Sequence, residues 1–421
     1  MKKKNVLGVV TSAALIAASV MGSAVPALAE SAEEVTLTFW TPSWREGAEA
    51  PIIEDFMKKY PNIKIDVTYM SSDDIKANTK IAASSGTLPD MWYNWSGVLA
   101  EFYAENGLCM DLTDYAAENG WDEKYLEGAI AQCSYDGKLI GLPQNLVSLD
   151  MYYRADLFEQ YGIEEPTTME ELEAACDTLL ENGVTPFAAG AGSNIMRYTE
   201  ALLEYYCGAE EHDSLLSLEA DWSASENVAK AFAKLKEWND KGYFPKDVLT
   251  ADAPTTKMYV YSGSSAMVME NPGMAAEIVA NEDDAAKYGW FAFPTNDEGT
   301  GRMSAYAKMC QFNAELSEEK LDAAMLFWDY YYSDESLAAH TAIEQPTALA
   351  GAELPENYAL AEGVLDDIEA KGGFSTMDLK IPAEVMSQYF SLQDAVILGQ
   401  TTPEDAGAQM QAAIESYKAN Q

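Results

Sequence analysis

Val35-Thr36-Leu37-Thr38-Phe39-Trp40 and Ile63-Lys64-Ile65-Asp66-Val67-Thr68-Tyr69, with 22 residues between them, are the stretches whose reading decides the fold. The first is β-branched and aromatic. The second alternates Ile63, Ile65, Val67 and Tyr69 with polar residues, the period of two that lines up apolar side chains on one face of a strand. Between them a turn at residues 41–43 precedes a helix predicted over about Ala48–Tyr60, with Pro51 in its first turn, where a missing N–H is tolerated. Strand, helix and strand at this spacing predict an α/β sheet with right-handed crossovers.

Further along, Thr167 and Glu170 have capping-box spacing, and Leu172, Cys176, Leu179 and Leu180 form the apolar stripe of the helix they open, which ends at Gly183. A second helical stripe runs through Val228, Ala231, Phe232, Leu235 and Trp238 to Gly242. Strand character returns at residues 266–269, 290–293 and 309–312. The last helix starts at Thr402-Pro403 and carries Ala406, Met410, Ala413 and Tyr417.

Residues 1–29 have the pattern of an export signal: Lys2, Lys3 and Lys4, an apolar run from Val6 to Met21, and Ala27-Leu28-Ala29 before the predicted cleavage. Without them the chain has about 390 residues, more than one core usually serves, so two domains are expected. It would then hold 23 Lys and Arg against 69 Asp and Glu, a net charge of −46. Such a surface repels phosphate backbones and anionic lipid, so no nucleic-acid partner is expected. No later stretch has the composition of a membrane span. Cys109, Cys133, Cys176, Cys207 and Cys310 have neither zinc nor redox spacing, their pairing is open, and none lies at the cleavage site to accept a lipid.

The chain is poor in groups for catalysis. His212, between Glu211 and Asp213, is read as part of a solvated acidic loop, and His340 as a helix-end residue. No nucleophile elbow, Walker loop, zinc-protease motif or EF-hand occurs, so no catalytic residue, metal or cofactor is assigned. Aromatics beside planar polar residues are frequent where strands give way to loops: Trp44-Arg45, Asn94-Trp95 and Gln144-Asn145. A pyranose asks for this mixture, an aromatic face for its C–H side and fixed donors and acceptors for its hydroxyls. Trp92 and Trp95 lie on opposite faces of a strand, and Trp95 is the one expected outside. Trp222, Trp238 and Trp328 read as packing residues.

Several stretches resemble one family in its order along nearly the whole mature chain. They are Thr38-Phe39-Trp40, Phe56–Ile63, Gly86–Asp90, Tyr135-Asp136-Gly137-Lys138-Leu139-Ile140-Gly141-Leu142-Pro143, Met151–Phe158, Pro166–Glu171, Gly263–Met267, Ala324–Tyr330 and Glu344–Thr347. The family is that of the extracellular solute-binding proteins of ABC importers, family 1, in the sugar-binding group that includes the maltodextrin-binding protein.

The resemblance implies a two-lobed periplasmic-binding-protein-like fold of type II, with a hinge and a ligand cleft between lobes. The N-terminal lobe would hold residues 30–140 plus 308–343, and the C-terminal lobe 141–307 plus 344–421. It implies a ligand site of Trp44, Arg45, Asn94, Trp95, Gln144, Asn145, Asn194, Arg197, Tyr198, Asn271, Tyr306 and Gln345. It further implies a monomer, exported to the periplasm or cell surface, that hands a carbohydrate, an oligosaccharide by expectation, to a membrane permease. The hinge would lie near residues 140–144, 306–309 and 345–346. Where many relatives have Gly-x-Trp after the Ala-Met run, this chain has Asn271-Pro272-Gly273-Met274, so one stacking platform is missing and Met274 or Tyr198 is a candidate to fill its place. Two alternatives stay open: a noncarbohydrate solute such as a polyamine or phosphate ester, and a secreted glycoside hydrolase.

Overall fold

A computed structural model describes residues 34–281, 284–336, 347–354 and 356–420. The predicted leader, His340 and Gln345 lie outside the described residues. Strand β1 (Val35–Pro42) pairs in parallel with β2 (Ile63–Met70) and with β3 (Met91–Trp95), so the predicted strand-helix-strand start is present. Val35, Leu37 and Phe39 face the core, as alternation requires. The connecting helix, Glu46–Lys59, begins two residues earlier than its spacing suggested, which puts Pro51 inside it. Arg45 bonding to Glu49 across one turn holds this early start.

A short hairpin of β4 (Ser134–Tyr135) and β5 (Lys138–Leu139) turns at Asp136 and Gly137, both at positive φ (48° and 73°), the geometry that matches strand twist in a two-residue turn. Strand β6 (Leu142–Ser148) then enters the first sheet, and after the single residue Leu149 the chain starts β7 (Asp150–Arg154) in a second sheet. That sheet has the order β10-β7-β9-β8, with β8 at Thr185–Ala188, β9 at Ser265–Glu270 and β10 at Tyr288–Phe291. Both its faces are covered: Met151, Tyr153, Phe187 and Met267 on one side, Tyr152, Ala188 and Val268 on the other.

The chain returns through β11 (Met303–Phe312), which is longer than the apolar run at 309–312 announced. It pairs with β3, β6 and the two-residue β12 (Gly373–Phe374). The inferred lobe boundary at 140/141 therefore lies before the change of sheet and that at 307/308 after it, because β6 and all of β11 belong to the first sheet. Residues 347–350 also stay beside the first sheet's elements: Leu126 donates to the Ala348 carbonyl, and Ala350 to that of Lys124.

The helix Glu226–Lys241 ends at Gly242 as its stripe predicts, the helix Pro403–Ala419 starts where predicted, and they bury Val228, Trp238, Ala406 and Met410. The capping box sits one residue later than predicted, with Thr168 and Glu171 as its partners. Thr167-Thr168 and Glu170-Glu171 offer two registers, and burial of Met169 selects the second.

His212 is a correction. It is fully buried inside the helix Ser193–Leu216, with Nδ1 3.0 Å from Glu204, because a break at Gly208 turns the end of that helix inward against Phe374. Trp92, Trp222, Trp238 and Trp328 are buried, and the five cysteines are free thiols. Among the described residues no helix is long and apolar enough to cross a membrane, and no cluster of metal-ligating side chains occurs.

Asp150 opens β7 at the passage between sheets and is fully buried. Ser148 Oγ donates to it at 2.7 Å, Glu270 is its partner across the ladder, and Asp367 and Lys371 lie nearby. Burial pushes its carboxyl up to about 7 from an ordinary value of 3.8. Stability that depends on the neutral form is thus complete below pH 4 and lost as pH rises toward about 7. An Asp150→Asn variant cannot ionise there, so its unfolding free energy should gain on the parent's between pH 4 and 7, reaching an advantage of a few kcal/mol that raises its melting temperature. Parallel melting profiles for the two proteins across that range would contradict this.

Candidate functional site

The first wall of the cleft is aromatic. A 3-10 turn at Ser43–Arg45 leaves Trp44 40% exposed, and β3 ends at the half-buried Trp95. Tyr93 joins them edge-on, with ring centroids 6.1 Å from Trp44 and 4.9 Å from Trp95. Beneath Tyr93, at 5.1 Å, is the Arg45 guanidinium. It donates to Glu49 at 2.9 Å, to Gln144 Oε1 at 3.2 Å and to the Tyr331 hydroxyl at 2.8 Å. Arg45 and Gln144 were expected on the ligand; the structure instead places both behind the wall, committed to each other.

Asn94 is placed similarly. Its amide donates to Gln311 and to the Leu99 carbonyl, and its oxygen accepts from the Trp95 N–H at 2.9 Å, which fixes the backbone that carries Trp95. Asn145 is buried in β6 and bridges to Thr347. Tyr198 is also internal: its hydroxyl donates to the Ala188 carbonyl and accepts from the Met269 N–H, both at 3.1 Å.

Opposite the tryptophans stands the helix Gly273–Asn281, preceded by Asn271, whose side chain accepts from the Gly273 N–H at 2.9 Å. Together with Tyr306 and Lys308 of β11, and with Tyr358, these elements line an open cavity of about 610 Å³. Met274 is buried and receives the Tyr261 hydroxyl, so neither it nor Tyr198 occupies the missing tryptophan's place. Tyr358 supplies the aromatic on this side.

A smaller chamber of about 110 Å³ adjoins the first and shares Trp95 and Tyr306 with it. Arg197 lines it, donating to the Met269 carbonyl at 2.7 Å and lying 3.0 Å from Glu270. Asn194 is half-buried one residue beyond Ser193, which is the residue on the chamber wall. Burial pushes the Tyr306 hydroxyl up to about 12, so it remains a donor at neutral pH.

Five of the twelve expected residues, Trp44, Trp95, Arg197, Asn271 and Tyr306, therefore face a cavity. Sequence reasoning missed Lys308, whose ammonium lies 4.9 Å over the Trp44 ring, and Lys76, 4.7 Å over Trp95. Lys308 was within reach, since it stands two residues from Tyr306 and so on the same strand face. Lys76, Tyr358 and Asp378 gave no local signal.

The model of the bacterial extracellular solute-binding proteins matches residues 41–338. The chain belongs to that family. A probable sugar-binding periplasmic protein of Rhizobium meliloti is 32% identical over 38% of this chain and 40% of its own length; the chain thus matches less than half of that relative. A protein of the same description from Brucella suis is 22% identical over 94% of this chain and 96% of its own. Among solved structures, a chitin oligosaccharide binding protein superposes with a TM-score of 0.80 at 22% identity, covering 92% of this chain and 99% of the other. The solute-binding protein described here shares that two-lobed α/β fold.

The lobes of this solute-binding protein touch beside the small chamber. A Cβ on Gly97, which has φ of +74°, would fall 1.9 Å from the Leu379 carbonyl oxygen, and Lys380 lies 3.6 Å from Glu101. Only glycine allows this approach. Gly97→Ala should hold the two segments apart and weaken ligand affinity about tenfold or more, with a smaller effect on melting temperature; titration calorimetry beside thermal melts separates the two. Undiminished affinity would show that the contact has no part in the binding conformation.

Proposed function

We propose that this protein is exported, captures an oligosaccharide between its lobes and presents it to the permease of an ATP-driven importer, catalysing no reaction itself. The observation that carries the reading is the 610 Å³ cavity with Trp44 and Trp95 on one wall and Asn271, Glu277 and Asn281 on the other. Stacking surfaces facing hydrogen-bonding groups suit a sugar's two kinds of face. The family, and the sugar-binding descriptions of its relatives, support the same reading. The leader read in residues 1–29 supports export to the periplasm or cell surface, with the mature protein acting as a monomer.

Because the walls come from different lobes, ligand bound to both is favoured only where both are near, so binding shifts the population toward the closed form. The natural pivots are Leu149, between β6 and β7, and residues 292–302, between β10 and β11. Recognition of a polyamine or phosphate ester has less support, since the cavity walls are led by aromatic rings and amides.

A thermal-shift screen with mono-, di- and oligosaccharides, polyamines and sugar phosphates tests the class, because a ligand of the native state raises the melting temperature. An oligosaccharide should give the largest rise. Trp44→Ala and Trp95→Ala should each weaken its binding by about 2 kcal/mol, roughly thirtyfold, without unfolding. Stabilisation by the other solutes only, or release of shortened sugars by the repurified protein, would sink the proposal.

A further inference from the structure

Lys76 and Asp378 line the same small chamber and come from opposite lobes. Lys76 projects from the helix Ser72–Ser85, packed on the first sheet, and Asp378 from the turn Met377–Leu379, whose Met377 is buried in the second core. They carry opposite charge, yet among the described residues neither forms an ion pair, with the other or with a third group. Arg197, the chamber's other cation, is already engaged by Glu270 and the Met269 carbonyl. Trp95 and Tyr306 continue the chamber into the larger cavity, so a chain whose end ring sits here extends directly along Trp44.

From this arrangement, and on the carbohydrate reading above, we infer that the chamber takes the terminal ring of the ligand and that Asp378 and Lys76 select a neutral, hydroxyl-bearing ring there. A carboxylate accepts two neighbouring O–H groups at once, and an ammonium donates to ring or hydroxyl oxygens, so one neutral ring satisfies both ions across the lobes. A uronic acid end ring brings a second carboxylate toward Asp378. An amino sugar brings an ammonium toward Lys76 and Arg197. Each adds a like-charge contact that the neutral ring avoids, which is how a site rejects a ligand of the right shape.

The test uses the full mature chain, the neutral oligosaccharide that binds best in the screen, and the same oligosaccharide with its end ring oxidised to a uronic acid. Titration calorimetry should show the parent favouring the neutral form by tenfold or more. Asp378→Asn should lose about tenfold for the neutral ligand and gain for the acidic one, narrowing the preference, while circular dichroism melts stay like the parent's. Lys76→Met should weaken the neutral ligand too, and tolerate the corresponding amine-bearing ligand better than the parent does. If the parent binds neutral sugar and Asp378→Asn changes neither affinity nor preference, the assignment of the chamber is overturned while the carbohydrate reading survives. If the parent binds no sugar at all, both fall together.

Discussion

The Arg45 guanidinium is 1% exposed and lies beside a Glu49 carboxylate that is fully buried. Two charges taken out of water are tolerated only when their hydrogen-bonding capacity is met, and removing one partner of such a pair typically costs about 3–5 kcal/mol. Here Arg45 reaches Glu49 on its own helix, Gln144 on β6 and Tyr331 on the helix Glu318–Tyr331. Three segments far apart in sequence are thereby tied behind Tyr93, and Tyr93 backs Trp44 and Trp95. The aromatic wall is rigid because the charge beneath it has a fixed set of partners.

Strand β11 is the second element that binds local structure to function. It pairs with β3 and β6 along one ladder, shifts register between Lys308 and Met309, and presents Tyr306 and Lys308 to the cleft. A bulge re-aims side chains at the point where pairing is irregular, a common device beside binding sites. Asp90 has a related role, accepting from the Thr38 N–H and hydroxyl and from Lys320, which holds β1, the start of β3 and a helix in one arrangement. The Leu88-Pro89-Asp90 motif is thus a structural clasp upstream of the cleft.

Much of the fold was legible because its signals are local: the alternation of Ile63 to Tyr69, the stripe from Val228 to Trp238, the Thr402-Pro403 start of the last helix. Of the site, Trp44 and Trp95 were legible because each stands where a strand gives way to a loop, whereas Arg197, Asn271 and Tyr306 were reached only through the family resemblance. Asn94 points inward because neighbouring positions on a strand face opposite sides, Arg45 because the turn at Ser43–Arg45 aims it at Glu49, and Gln144 because β6 is buried along its whole length. His212 was misread as solvated because the break at Gly208 that turns it inward is a tertiary feature. Lys76 and Asp378 come together only when two lobes meet, which no local pattern records.

The central claim is that both lobes grip one sugar along the aromatic wall, and the crystal structure of the protein with its tightest-binding oligosaccharide tests it most directly. The account predicts a ring stacked on Trp95 at about 4 Å, with hydroxyls bonded to second-lobe groups. A sugar bound elsewhere, or held by one lobe alone with Trp44 and Trp95 bare, would contradict it.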